Sequence, residues 1–206
     1  MRALAGLYIV TPDWDDTDRL LDVTEQALFG GANIVQYRHK TAGPDLRRQQ
    51  ACALLDLCRV HDKPLIINDH VDLCVDLDAA GVHVGGTDAS VAEIRAVVGL
   101  DRIVGASCYG DLTLAQCAQQ EGASYVAFGG FYPSRVKKYA VTTPHDIIHH
   151  AKVQIDLPNV VIGGMTVEYA RPLVKAGADM VAVISSIYLA DNPRLAAQEF
   201  VRLFSE

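Results

Sequence analysis

KAGADMV, residues 175–181, is the stretch on which the fold turns. A helical pattern runs into Lys175 and Ala176, a glycine follows at Gly177, and an apolar run opens at Met180. Glycine just past a helix takes the left-handed conformation that ends the helix and permits a short return into a strand. The same order of events recurs in FGGANIV (29–35), DAAGVHV (78–84) and QEGASYV (120–126). Each predicts a helix that hands over to a strand through a glycine.

Working outward from these joints, short apolar runs recur at Leu7–Thr11, Asn33–Arg38, Pro64–Asn68, Gly81–Gly85, Ile103–Cys108, Tyr125–Gly130, Asn159–Gly164 and Met180–Ser186. They are rich in Val and Ile and apolar throughout rather than alternating, which is the pattern of strands covered on both faces. Between them, Ala51, Leu54, Leu55 and Cys58 keep the spacing of a buried helix face, as do Ala196, Phe200 and Leu203. Asp45, Asp111, Thr166 and Asn192 are the expected helix starts, the last followed by Pro193 in the first turn. Eight strand-then-helix units in 206 residues predict an α/β fold, a single (β/α)8 TIM barrel forming one domain over 1–206. An open doubly wound sheet is the alternative. No G-x-G-x-x-G follows the first strand, which argues against its dinucleotide-binding version.

Composition narrows the function. Half of the residues are hydrophobic, enough for one sizeable core. A net charge of −7 disfavours a nucleic-acid binder, yet a few focused Arg and Lys residues can still hold a phosphate. Five cysteines without a C-x-x-C pair suggest neither a disulfide framework nor a zinc site, so reduced, mostly buried thiols are expected. No apolar run approaches the length of a membrane span and no signal-peptide core precedes the first acidic cluster, so a cytoplasmic protein is expected. Oligomeric state is not legible, and a homo-oligomer stays open.

In barrels of this kind, reactive residues sit at the C-terminal ends of the strands. The second strand ends in QYRHK, and Gln36, Arg38 and Lys40 lie two apart, so an extended chain points them one way. That suits an anionic ligand, though spacing alone equally allows a solvated strand end. Asn68 and Asp69 end the third strand and Asp88 follows the fourth. Two such carboxylates can share one Mg²⁺ or can simply cap helices. Ser107 ends the fifth strand as a hydrogen-bond donor, and Cys108 beside it reads as a buried spectator. FGGFYPSRVKK after the sixth strand has the glycines and basic residues of a loop that closes over phosphate. Gly163, Gly164, Ile184 and Ser185 stand in the last two loops, the usual phosphate site of these barrels. The histidines read as ordinary surface or core residues.

Taken in order, QYRHK, IIND, GVHVGGTD, GASC, YVAFGGFYPSRVKK, VVIGGM and AVISS resemble the thiamine-phosphate synthase family from about Leu7 onward. The resemblance implies a transferase that uses Mg²⁺ and small-molecule substrates, a pyrimidine diphosphate and a thiazole phosphate, with release of pyrophosphate. It implies that Gln36, Tyr37, Arg38, His39 and Lys40 line the substrate site, with Asn68 near the pyrimidine ring. Asp69 and Asp88 would bind the metal, and Ser107 and Lys137 would contact the diphosphate. Arg38, Lys40 and Lys137 would carry catalysis by offsetting charge. Ser134, Arg135, Val136, Gly164, Ile184 and Ser185 would hold the thiazole phosphate. The family usually has Glu at His39, Asp at His70, and T-x-T where this chain has Ser134–Arg135–Val136. Three rivals remain: a thiazole tautomerase of the same fold, a non-catalytic phosphate-binding barrel, and a Schiff-base aldolase using Lys40. Retention of both Asp residues argues against all three.

Overall fold

A computed structural model describes residues 4–85, 90–133 and 143–205. The strands are β1 (Gly6–Val10), β2 (Ile34–Tyr37), β3 (Leu65–Asn68), β4 (Gly81–Val84), β5 (Ile103–Tyr109), β6 (Tyr125–Gly129), β7 (Asn159–Ile162) and β8 (Met180–Val183). All are parallel and pair in chain order. The barrel closes because β1 has two neighbours, with Tyr8 opposite Ile34 of β2 on one side and Ala182 of β8 on the other. Helices α1 (Thr17–Phe29), α2 (Pro44–Val60), α3 (Val71–Asp76), α4 (Val91–Val98), α5 (Leu112–Gln120), α6 (Ile147–Gln154) and α7 (Val167–Lys175) return the chain after successive strands. A short α8 (Ser185–Tyr188) and then α9 (Pro193–Arg202) follow β8.

Continuous apolar strands are needed because both faces are buried. Leu7, Ile9, Val35 and Tyr37 point outward under the helices, while Tyr8, Val10, Ile34, Ile66, Met180 and Ala182 fill the barrel interior. The expected helix face of Ala51, Leu54, Leu55 and Cys58 is buried along its whole length. In α9 Phe200 is buried, but Ala197 rather than Ala196 completes the inner face. Asp111, Thr166 and Asn192 cap their helices, each accepting a backbone N–H of the first turn. Asp45 does not: Gly43 holds the cap position, Pro44 opens the helix, and Asp45 sits in the first turn where its charge suits the dipole.

The glycine joints hold with one exception. Gly31, Gly122 and Gly177 are left-handed, with φ of 101°, 91° and 108°. In DAAGVHV the left-handed residue is Asp78, at φ 50°, and Gly81 is already the first residue of β4. Gly81 is there for space, since a Cβ would run into the Ile103 carbonyl oxygen. The eighth run also ends sooner than expected: β8 stops at Val183 and Ser185 opens α8. All five cysteines are free, with Cys58, Cys74 and Cys108 buried and Cys117 exposed. Burial pushes the Cys108 thiol up to about 12, which suits a spectator and not a nucleophile. Among the described residues no helix is long and apolar enough to cross a membrane.

Candidate active site

Among the described residues, cavities open at the C-terminal ends of the strands. One, of about 200 Å³, is lined by Tyr37, His39, Lys40, Arg47, Asn68, Asp69 and His70. Alternation along β2 sends Gln36 into the barrel, and Arg38 and Lys40 lie just beyond the strand end. Asp13, in the loop after β1, gathers both basic residues: its Oδ1 accepts from Arg38 Nη1 at 3.3 Å and from the Lys40 backbone N–H at 2.8 Å. Thr11 adds a clamp, its hydroxyl donating to the Arg38 carbonyl at 3.0 Å and accepting the Arg38 N–H at 2.8 Å. The Arg38 side chain is therefore nearly buried, at 10% exposure, while that of Lys40 is 51% exposed and reaches Asp69 Oδ2 at 2.6 Å.

Tyr37 and His39 touch the same wall, but their polar atoms are engaged away from it. The Tyr37 hydroxyl donates to Gln50 Oε1 under α2, and burial raises its pKa. His39 Nδ1 accepts the Ala42 N–H at 3.1 Å, so its ring proton sits on Nε2 and faces Asp15 Oδ1 at 3.0 Å. His39 thus braces the loop between β2 and α2. Burial and the nearby Arg47 lower the pKa of His70, which keeps its ring neutral.

Asp69 carries an unusual backbone. Its φ is 62°, held by its N–H donating to the His83 carbonyl at 2.9 Å. That left-handed turn aims the carboxylate at the mouth instead of into the start of α3, so the helix-capping alternative does not apply. A carboxylate oxygen beside the Asn68 amide is the donor chemistry of a hard divalent cation. The second expected metal ligand, Asp88, lies outside the described residues, as do Ser134, Arg135, Val136 and Lys137. Among the described residues no group of three or more His, Cys, Asp or Glu residues is gathered for a metal. Asp69 on its own fits Mg²⁺, because that ion takes one or two carboxylates and fills its shell with water and phosphate oxygens.

The other cavity, of about 370 Å³, lies between β7 and β8. Gly164, Ile184 and Ser185 line it as expected, together with Pro133, Thr166, Tyr169 and Ser186. Among the described residues no side chain caps the N-terminus of the one-turn α8, whose Ser185 and Ser186 line the cavity. Gly164 is left-handed at φ 66°, and a Cβ there would meet the Pro133 carbonyl oxygen. Its smallness therefore serves the packing of the β6 loop on the β7 loop, and shapes the cavity through that contact.

Between the two cavities, polar side chains cross the barrel interior. Gln36 Nε2 donates to the Tyr8 hydroxyl at 2.7 Å. Tyr8 and Tyr125 hydroxyls are 2.7 Å apart, Tyr125 lies 2.8 Å from His83 Nδ1, and His83 Nε2 lies 2.9 Å from Ser107 Oγ. Gly105 makes room for this row, since a Cβ there would overlap the Tyr125 ring. Tyr8, His83, Tyr125 and Asp13 are functional candidates that the strand-end reading passed over. Their signal was present: each of the first three is a polar group on the inward register of an otherwise apolar strand.

A parallel barrel whose mouth combines paired basic side chains, a rim carboxylate and a glycine-lined cavity defines a phosphate-handling (β/α)8 enzyme. The comparisons then fix the family. Residues 7–187 match the family model described as thiamine monophosphate synthase. The chain is 61% identical over 203 residues to the thiamine-phosphate synthase of Janthinobacterium sp. (strain Marseille), covering 98% of each chain. It is 47% identical to that of Methylobacillus flagellatus, covering 98% of this chain and 96% of the relative. Among solved structures, thiamine phosphate pyrophosphorylase from Pyrococcus furiosus superposes with a TM-score of 0.85 at 28% identity, covering 98% and 96%. A 3-hexulose-6-phosphate synthase at 20% identity and a TM-score of 0.73 shares the fold alone. The chain belongs to the thiamine monophosphate synthase family, whose members are transferases of thiamine biosynthesis.

Proposed function

We propose that this chain joins a pyrimidine diphosphate to a thiazole phosphate and releases pyrophosphate. The thiazole nitrogen forms a bond to the pyrimidine methylene carbon as the carbon–oxygen bond to diphosphate breaks, and the electron pair leaves with pyrophosphate. The observation that carries this reading is the division of the mouth into two subsites. One has Lys40 paired with Asp69, with Arg38 held nearby on Asp13; the other is the glycine-lined cavity between β7 and β8. A reaction between two phosphorylated partners needs both.

Arg38 and Lys40 face the negative charge that grows on the leaving group, with Lys137 as a third cation by resemblance. Mg²⁺, held by Asp69 and Asp88, would neutralise the diphosphate further. Asn68 stands at the pyrimidine side and Ser107 offers a hydroxyl to a diphosphate oxygen. Ile184 and Ser185 receive the thiazole phosphate at the start of α8. The apolar interior below, with Val10, Ile66 and Ala182, keeps water from the reacting carbon. No side-chain nucleophile is needed. The aldolase alternative is disfavoured because Lys40 Nζ is half-exposed and engaged by Asp69, whereas a Schiff-base lysine sits desolvated in an apolar pocket. The free thiols fit a reducing, cytoplasmic setting.

The direct test mixes the purified protein with both substrates and Mg²⁺ and follows thiamine phosphate and pyrophosphate. Their formation in equal amounts is expected; tautomerised thiazole without pyrophosphate would favour the tautomerase. Gly164→Val tests the division of the mouth. Left-handed strain alone should cost about 1–3 kcal/mol of stability, and the displaced Pro133 carbonyl should deform the β7–β8 cavity. The KM for the thiazole phosphate should rise well beyond that for the pyrimidine diphosphate. Equal changes in both would show that the cavity is not a separate subsite.

A further inference from the structure

We infer that Tyr8, Tyr125 and His83 are positioning residues: with Gln36 they form a one-directional hydrogen-bond chain that leaves the Ser107 hydroxyl proton facing the barrel mouth, as a donor to an anionic substrate oxygen. The inference rests on the synthase reading for the identity of that oxygen and on geometry for the rest.

The direction follows from counting protons. An amide Nε2 only donates, so the Tyr8 oxygen accepts from Gln36 at 2.7 Å. Tyr8 and Tyr125 are fully buried, and burial raises both phenol pKa values, so each keeps its single proton. The Tyr8 proton then goes to the Tyr125 oxygen at 2.7 Å, and the Tyr125 proton to His83 Nδ1 at 2.8 Å. With Nδ1 accepting, the imidazole carries its ring proton on Nε2. That proton is donated to Ser107 Oγ at 2.9 Å. The serine oxygen is thereby an acceptor from below, and its own proton is directed away from His83, toward the mouth.

Packing holds the row in place. The Tyr8 and Tyr125 rings meet edge to face at 5.9 Å, and His83 stacks on Tyr125 at 5.6 Å and 19°. Gly105, next to Ser107 but one, leaves the space that the Tyr125 ring fills. A buried polar row costs desolvation unless every member is satisfied, and here each link satisfies the next. Turning the Gln36 amide over would reverse every link and bury the serine proton against His83. Ser107 is the partly exposed end of the row, and Gln36, Tyr8, Tyr125 and His83 are buried behind it.

Two measurements test this. Nitrogen-15 spectra of the histidine-labelled, unliganded protein, with His83 assigned through His83→Gln, should show a neutral ring protonated on Nε2 and bare on Nδ1. A proton on Nδ1, alone or with Nε2, overturns the inference, and this spectrum requires no variant to be active. The second measurement is a kinetic cycle. Tyr125→Phe and Ser107→Ala should each lower kcat about tenfold with little change in either KM, and the double variant should be no slower than Ser107→Ala alone. Multiplied losses would mean that Tyr125 acts independently of Ser107 and would reject the chain. Tyr8→Phe replaces Tyr125→Phe in the cycle should the latter not fold. Absence of product from the wild-type protein would instead reject the synthase reading and leave the tautomer result standing.

Discussion

Replacing Asp69 by asparagine should lower turnover by about a hundred- to thousandfold, the loss expected when a group acting on transition-state charge is removed. A diphosphate leaving group carries about three negative charges near neutral pH, and Mg²⁺ is the usual means of offsetting them. The amide keeps the size of Asp69 and loses the charge that holds the cation. It also keeps the fold: Asp69 sits at φ 62°, a region that asparagine tolerates better than most residues. Thermal unfolding should therefore be nearly unchanged, and the same substitution to alanine would confuse strain with loss of charge. EDTA should abolish activity of the wild-type protein and excess Mg²⁺ should restore it. Asp88→Asn should behave like Asp69→Asn. Thiazole phosphate should bind the Asp69 variant normally, because its cavity between β7 and β8 shares no lining residue with that of Asp69 among the described residues. Activity that survives EDTA, together with normal turnover of both variants, would remove the metal from the mechanism.

The second large effect separates two cations that look alike in the sequence. Arg38→Ala and Lys40→Ala should each lower kcat by about a hundredfold or more, since each removes positive charge from the leaving group. Their stabilities should differ. Lys40 is half-exposed, and its ion pair with Asp69 contributes little to folding. Arg38 is nearly buried against Asp13, so its removal takes the guanidinium partner from that carboxylate and should cost about 1–3 kcal/mol. Denaturation midpoints measured beside kinetics distinguish the cases. Equal stability in the two variants would show that Asp13 does not depend on Arg38, and near-normal turnover in both would remove them from the site. Lys137→Ala should show a kinetic loss comparable to that of Lys40→Ala.

The eight strands, the barrel they form, and the rim positions of Arg38, Lys40, Asn68, Asp69, Gly164 and Ser185 were legible in the sequence. Parallel strands buried on both faces must be apolar throughout, and a helix that returns over a short loop needs a left-handed residue; both demands are local and leave a mark. Which way a strand-end side chain turns is not local. Tyr37 and His39 stand in the same run as Arg38 and Lys40, yet Tyr37 turns to Gln50 of α2 and His39 to Asp15 of the loop after β1, partners that only the fold brings to them. Asp13 reaches the site only because β1 lies beside β2. The interior row of Gln36, Tyr8, Tyr125, His83 and Ser107 draws on five strands, and its order exists only once the sheet has closed and Gly105 has made room for the Tyr125 ring. Sequence alone thus determined which strand ends reach the mouth, because strand period and helix caps are short-range. Tertiary structure decided which of them face one another, because hydrogen bonds between strands depend on register and on the space that neighbouring side chains leave.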